Sequence, residues 1–192
     1  MANLTEYFPA ASGSNVLEEI QCVPDGRNVT VGSGTYTLQN TTGTQQLTSS
    51  YTELTGSKIN YTPPSGAKYI KYQYQFHISP QSYYGISHYR IYVGNDEVTK
   101  AYKSYSHQQW SSYYYGNQTF IMNYVFDLTA SSTNAALGQF HDWTDARDIT
   151  VKARNYSSTY NTNINGNKWR DGGGASGSYL WTRPLLTIQA LS

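Results

Sequence analysis

From Lys68 to Ser79 apolar and polar side chains alternate without a break. Ile70, Tyr72, Tyr74, Phe76 and Ile78 fall on one parity, and Lys71, Gln73, Gln75 and His77 on the other. Successive side chains point to opposite faces only in a β-strand, so the stretch predicts a long strand with one buried and one wet face. Thr62-Pro63-Pro64-Ser65-Gly66 precedes it. Its prolines remove two backbone donors and preset φ, which ends one strand before the next begins.

The same period recurs along the chain. Val16–Cys22 predicts a first strand, closed at Pro24-Asp25-Gly26, and Val29–Val31 with Tyr36–Leu38 a hairpin across Gly32-Ser33-Gly34. Thr44–Leu54 and Ser57–Thr62 are expected to pair with each other, joined at Thr55-Gly56. Ile86–Val93 sets Tyr89, Ile91 and Val93 against His88, Arg90 and Tyr92, then turns at Gly94-Asn95-Asp96 into Glu97–Lys103, a polar-faced strand expected near an edge. Thr119–Leu128 alternates strictly, with Phe120, Met122, Tyr124, Phe126 and Leu128 on one face. Ile149–Asn155, Thr162–Trp169 and Leu185–Leu191 complete the strands, and Asn134–Phe140, in an irregular stretch over 129–145, holds the one expected helical turn. Roughly ten short strands at this spacing predict an all-β fold: an antiparallel β-sandwich, jelly-roll-like, over residues 16–192. Tyr74, Phe76, Phe120, Met122, Tyr124, Phe126, Ile149, Val151, Leu186 and Ile188 should line the space between the sheets.

Two segments fall outside this pattern. Residues 1–15 contain an aromatic knot, Tyr7-Phe8-Pro9, and a flexible joint, Ala10-Ala11-Ser12-Gly13-Ser14, and form a short extended N-terminal arm. Such a terminus is ordered only where something holds it. Leu4, Tyr7, Phe8 and Pro9 are therefore expected to dock on a neighbouring subunit or a partner; the alternative is that the arm folds back over its own sheet. Residues 104–116 mix aromatic and small polar side chains without a sustained period, and read as a long loop of the kind that often carries function. Tyr105, Trp110, Tyr113, Tyr114 and Tyr115 offer flat faces with polar tips, which suit a glycan or a protein partner. Equally, those rings could cover the protein's own sheet or a neighbouring copy.

Composition narrows the functional classes. The chain has 192 residues, about one domain, with 20 tyrosines, 13% charged residues and a net charge of +1. That charge does not supply the basic face a nucleic-acid binder needs for phosphates. Cys22 is the only cysteine, so no intrachain disulfide forms, and its strand pattern marks it as a small buried hydrophobe. No basic-plus-apolar leader opens the sequence and no apolar run approaches the ~20 residues of a membrane span, so neither secretion nor a membrane is expected. The Asn-X-Ser/Thr triplets are then chance in so Asn- and Thr-rich a chain.

Several segments together resemble a family of marine bacteriophage and cyanophage virion structural proteins. They are Val16-Leu17-Glu18-Glu19, Cys22 with Asp25-Gly26-Arg27, Ser33-Gly34-Thr35-Tyr36-Thr37, the run from Leu47 to Ser57, Asn60-Tyr61-Thr62-Pro63-Pro64-Ser65-Gly66, Ile86-Ser87-His88-Tyr89 and Asp96-Glu97-Val98-Thr99. The resemblance covers residues 16–103 well and the rest loosely. It implies a place on the virion surface and a jelly-roll head that assembles as a homotrimer, with the major capsid protein or another virion protein as partner.

Catalytic chemistry finds little support in the sequence. Gly172-Gly173-Gly174 lacks the strand, helix and lysine of a phosphate loop. His77, His88, His107 and His141 are dispersed, without metal-ligand spacing. His141-Asp142-Trp143-Thr144-Asp145 places carboxylates beside a histidine, but without the oxygen-ligand pattern of a calcium loop. The expectation is a non-enzymatic protein without cofactor or metal: a capsid decoration or short head-fibre subunit anchored by its arm. The alternative is a receptor-binding tip that holds host cell-surface glycan through residues 104–116.

Overall fold

A computed structural model describes residues 15–80, 84–108, 117–167 and 180–192. In chain order the strands are β1 (Val16–Cys22), β2 (Asn28–Val31), β3 (Gly34–Thr37), β4 (Gln45–Gln46), β5 (Thr52–Glu53), β6 (Ile59–Tyr61), β7 (Tyr69–Pro80), β8 (Tyr84–Val93), β9 (Asp96–Gln108), β10 (Gln118–Asp127), β11 (Arg147–Asn155), β12 (Thr162–Ile164), β13 (Gly166–Asn167), β14 (Leu180–Trp181) and β15 (Leu185–Leu191). One 3-10 turn, Ala135–Leu137, falls within the stretch expected to be helical. The fold is an antiparallel β-sandwich, jelly-roll-like, with one sheet curled into a half-barrel.

The long alternating strand is the axis of the first sheet. β10 lies along one edge of β7, from Asp127 opposite Tyr69 to Gln118 opposite Ile78. The other edge is shared by β15, which carries β1 beyond it, and by β12, which carries β4. In the second sheet β11 takes β8 on one edge and both β5 and β6 on the other, and β9 pairs with β8. Lys103 Nζ on β9 donates to Ile121 O at 2.9 Å and Asn123 Oδ1 at 2.7 Å on β10, which ties the edges of the two sheets together.

The core sits where the alternation places it. Tyr74, Phe76, Met122, Phe126, Ile149, Val151, Leu186 and Ile188 are buried, and Phe120 and Tyr124 pack against them half-buried. Tyrosine in the core is a device of this chain. Tyr72 OH donates to Ser57 O at 2.6 Å and Tyr74 OH to Thr55 O at 2.9 Å, so core rings pin the segment that crosses between the sheets.

That crossing corrects the expected Thr44–Leu54/Ser57–Thr62 hairpin. β4 joins the first sheet, while β5 and β6 both side against β11 in the second. Side-chain amides replace the missing ladder. Gln45 Oε1 accepts from Thr55 N at 2.9 Å, and Gln39 Oε1 from Gly56 N at 2.8 Å and Lys58 N at 3.1 Å. With its backbone donors met in this way, the segment has no need of a strand partner at each residue. Two further boundaries shift. Ser104–Gln108 belong to β9, paired with Tyr84–His88, and are not loop. The expected Thr162–Trp169 strand breaks at Asn165, whose φ of 59° is left-handed; Trp169 lies outside the described residues.

Gly56 shows how tight the crossing is. Its φ is 94°, and a Cβ there would stand 2.3 Å from Thr41 Oγ1 and 2.9 Å from Pro24 Cγ. Gly56→Ala is expected to cost about 2–3 kcal/mol, from left-handed strain and this clash together, read as a lower denaturation midpoint. An unchanged midpoint would mean the crossing relaxes freely.

Candidate functional site

Of the residues expected to make contacts, Leu4, Tyr7, Phe8, Pro9, Trp110, Tyr113, Tyr114 and Tyr115 lie outside the described residues. Tyr105 is described, and it is no exposed platform. It stands on β9, half-buried, with its ring edge-on to Phe120 at 6.5 Å and 86°, and burial raises its phenol pKa. Pairing of β9 with β8 turns it toward the core margin.

The register of β7 nevertheless orders the molecule from end to end. Val16 pairs with Leu191, which pairs with Tyr69, so the residue that follows the arm stands at the N-terminal end of β7. Gln118, which follows the 109–116 segment, pairs with Ile78 near the other end, and Gln108, which precedes it, pairs with Tyr84. Nine residues of β7, at about 3.3 Å each, separate Tyr69 from Ile78 by roughly 30 Å. The described flanks of the arm and of the aromatic segment therefore stand at opposite ends of the sandwich.

At the arm's end lies a cavity of about 610 Å³, where Pro63 and Pro64 face Leu128, Thr129, His141 and Trp143. It unites two features that the sequence keeps apart, the Pro-Pro lead-in and the His-Asp-Trp segment. His141 Nε2 lies 3.0 Å from Asp142 Oδ2 and Nδ1 3.0 Å from Ala130 O, and Asp142 holds a left-handed φ of 54°. Both side chains of the pair are well exposed, which leaves the ion pair weak. Asp148 is turned away from it, bonded to Asn60 Nδ2 at 2.7 Å and to Lys58 Nζ at 3.0 Å. Among the described residues no three His, Cys, Asp or Glu side chains converge as metal ligands. None of the helices among them is long and apolar enough to cross a membrane.

The outer face of β8, β9 and β11 is a surface that the sequence reading did not single out. Arg90 lies over the Tyr51 ring at 4.3 Å, Arg154 over the same ring at 5.3 Å, and Lys152 over Tyr92 at 4.2 Å. His88 stacks with Tyr102 at 6.0 Å and meets Tyr156 at 6.1 Å. Burial lowers the His88 pKa, and the nearby Arg154 and Arg90 charges lower it further. Arg90 and Lys152 stand directly opposite each other, and Glu97 accepts from Arg90 Nη1 at 2.6 Å. The alternation of His88, Arg90 and Tyr92 was legible, but its pairing with Lys152 and Arg154 depends on register.

The segments that carry the phage resemblance interlock. Glu18 Oε1 accepts from Ser33 Oγ and from Tyr61 OH, each at 2.5 Å, and Oε2 accepts from Ser33 N at 2.9 Å. Tyr36 OH lies 2.6 Å from Ser33 Oγ and donates to Thr62 O at 2.9 Å. Burial, then the hydrogen bond to the Glu18 carboxylate, pushes the Tyr61 phenol far above its usual pKa. Nearby, hydrogen bonds from Arg27 hold the Asp25 carboxyl down to about 2. These residues frame the head and carry no reactive group into a cavity. No known family's sequence profile matches the chain, and no curated protein matches it significantly.

Proposed function

We propose that the chain is a non-catalytic structural protein of a bacteriophage virion surface, a decoration or short head-fibre subunit. It attaches through residues 1–15 and presents its sandwich as a homotrimeric head. The observation that carries this reading is the end-to-end order of the sandwich. The arm leaves from β1, the outermost strand of the first sheet, where Val16 is 53% and Leu17 41% exposed. At most about 3.5 Å per residue gives a 15-residue arm a reach of roughly 50 Å, enough for an adjacent capsomer and too short for a projecting stalk. On the first sheet's outer face Ile121 and Val125 of β10 are exposed among Gln73, Gln75 and Asn123, an uncharged surface suited to a second copy.

Deletion of residues 1–14 tests the anchor. It retains Asn15, whose carbonyl accepts from Ser192 N at 3.0 Å, so the head keeps its closing contact. The truncated chain is expected to keep its circular dichroism and its melting temperature and to lose co-sedimentation with bare capsids. Binding equal to that of the full chain would sink the anchor.

A second reading, a receptor-binding tip, draws on the same order. The described flanks of the 109–116 segment stand at the end away from the arm, where an attached head would face the host.

A further inference from the structure

At that distal end, between the β4–β5 and β11–β12 connections, lies a cleft of about 390 Å³ lined by Leu47, Thr48, Asn155, Ser158, Tyr160 and Asn161. Its position follows from Thr162 opposite Pro80 and from Leu47 N donating to Thr162 O at 2.9 Å. Asn155 is 1% exposed and ends β11. Its Nδ2 spends both hydrogens, one on Leu47 O at 2.8 Å and one on Tyr160 O at 2.7 Å. A flipped amide would set Oδ1 against two carbonyl oxygens, so the orientation is fixed. Oδ1 is left buried, without a donor. A buried acceptor in that state calls for a hydroxyl to complete it.

The surroundings specify the rest of the ligand. No residue lining the cleft carries a charge, and Gln46 Nε2 donates across the mouth to Asn161 Oδ1 at 3.0 Å. Tyr156, 57% exposed, lies against Tyr160 with ring centroids 5.9 Å apart. Tyr156 also meets His88, which stacks on the exposed Tyr102, so the rings continue from the cleft onto the outer face of the second sheet. Amides and hydroxyls inside, with an aromatic face beside them, match a ring that carries hydroxyls on its edge and C–H groups on its face. An anion would find only the Arg154 guanidinium, which is turned to the Asn155 and Tyr156 carbonyls at 3.4 and 3.3 Å.

We propose that this cleft is a saccharide subsite, which seats an uncharged pyranose with one hydroxyl donating to Asn155 Oδ1 and one ring face on Tyr156. The inference deepens the receptor-tip reading and is independent of the anchor. It places the sugar on described residues of the β11–β12 connection in place of residues 104–116.

The test is titration of the isotope-labelled full chain with methyl glycosides of glucose, galactose, mannose and N-acetylglucosamine, followed by amide NMR. At least one is expected to shift Leu47, Thr48, Tyr160 and the Asn155 side-chain amide. Ser158→Trp, at an exposed position, fills the cleft and should abolish the response, and Tyr156→Ala should weaken it about tenfold, equivalent to about 1.4 kcal/mol. Trp110→Ala should leave it unchanged. No shift with any of the four glycosides means that the cleft holds only water and overturns the subsite. A response that survives Ser158→Trp but is lost in Trp110→Ala moves binding to the 104–116 segment and likewise overturns it. Capsid co-sedimentation of the same variants reads the anchor separately.

Discussion

Phe126→Ala is expected to destabilise the folded chain by about 3–5 kcal/mol. Phe126 is fully buried on β10, opposite Ile70, and its ring meets Phe140 at 5.8 Å and 75° and Trp143 at 5.8 Å and 52°. Phe140 and Trp143 meet in turn at 5.3 Å, and Arg147 lies over both rings. Removing Phe126 takes the keystone from that cluster, and neighbours fixed by the 127–143 backbone cannot close the void. Phe76→Ala should cost a similar amount for a separate reason, since Phe76 packs on Tyr74, Tyr89 and Phe120. The two phenylalanines share no ring partner, so their costs should add. A sum of roughly 6–10 kcal/mol rivals the whole stability of a domain, and the double variant is expected to be unfolded. Urea denaturation of the full chain decides the point. A loss under about 1 kcal/mol for either single variant would mean that its site collapses without a cavity.

How much of this was legible follows from the physics of each element. β1, β7, β8, β10 and β15 are long enough for two-residue alternation to announce them, and their buried faces are those the pattern marks. β4, β5 and β6 run two or three residues, too short for any period. What fixes them is Gln39 and Gln45 bonding backbone ten to nineteen residues away, which local pattern does not encode. Tyr105 was misjudged because serines on both sides hid the alternation that carries β9 to Gln108. The end-to-end order of arm and aromatic segment is a property of register, invisible until β7 is paired. Asn155 was read as the end of a strand, which it is, but its unpaired oxygen depends on Leu47, 108 residues away.

The same tyrosines that replace phenylalanine in the core should make the fold fail steeply in alkali. Tyr61, Tyr72, Tyr74 and Tyr89 are all fully buried, and burial raises each phenol well above its ordinary pKa near 10. Tyr72 and Tyr74 also donate to backbone carbonyls, and Tyr61 to a carboxylate, bonds that exist only while the phenols keep their protons. In the unfolded chain these phenols ionise near pH 10; in the folded chain they do not. Stability from this source is therefore intact below about pH 10 and is lost as pH rises toward the raised folded values. Each such tyrosine contributes a slope of about 1.4 kcal/mol per pH unit, and four give roughly 5 kcal/mol per unit. A domain with ~5–15 kcal/mol to lose should unfold cooperatively within one to three pH units above 10. Phenolate absorbance should then rise in two phases, exposed tyrosines first and the buried ones together with the loss of circular dichroism. Tyr72→Phe should make the slope shallower by about one tyrosine's share, even though it leaves Ser57 O without its donor. If every tyrosine titrates smoothly near pH 10 while the dichroism persists, the buried hydroxyls are open to water and do not hold the crossing segment between the sheets.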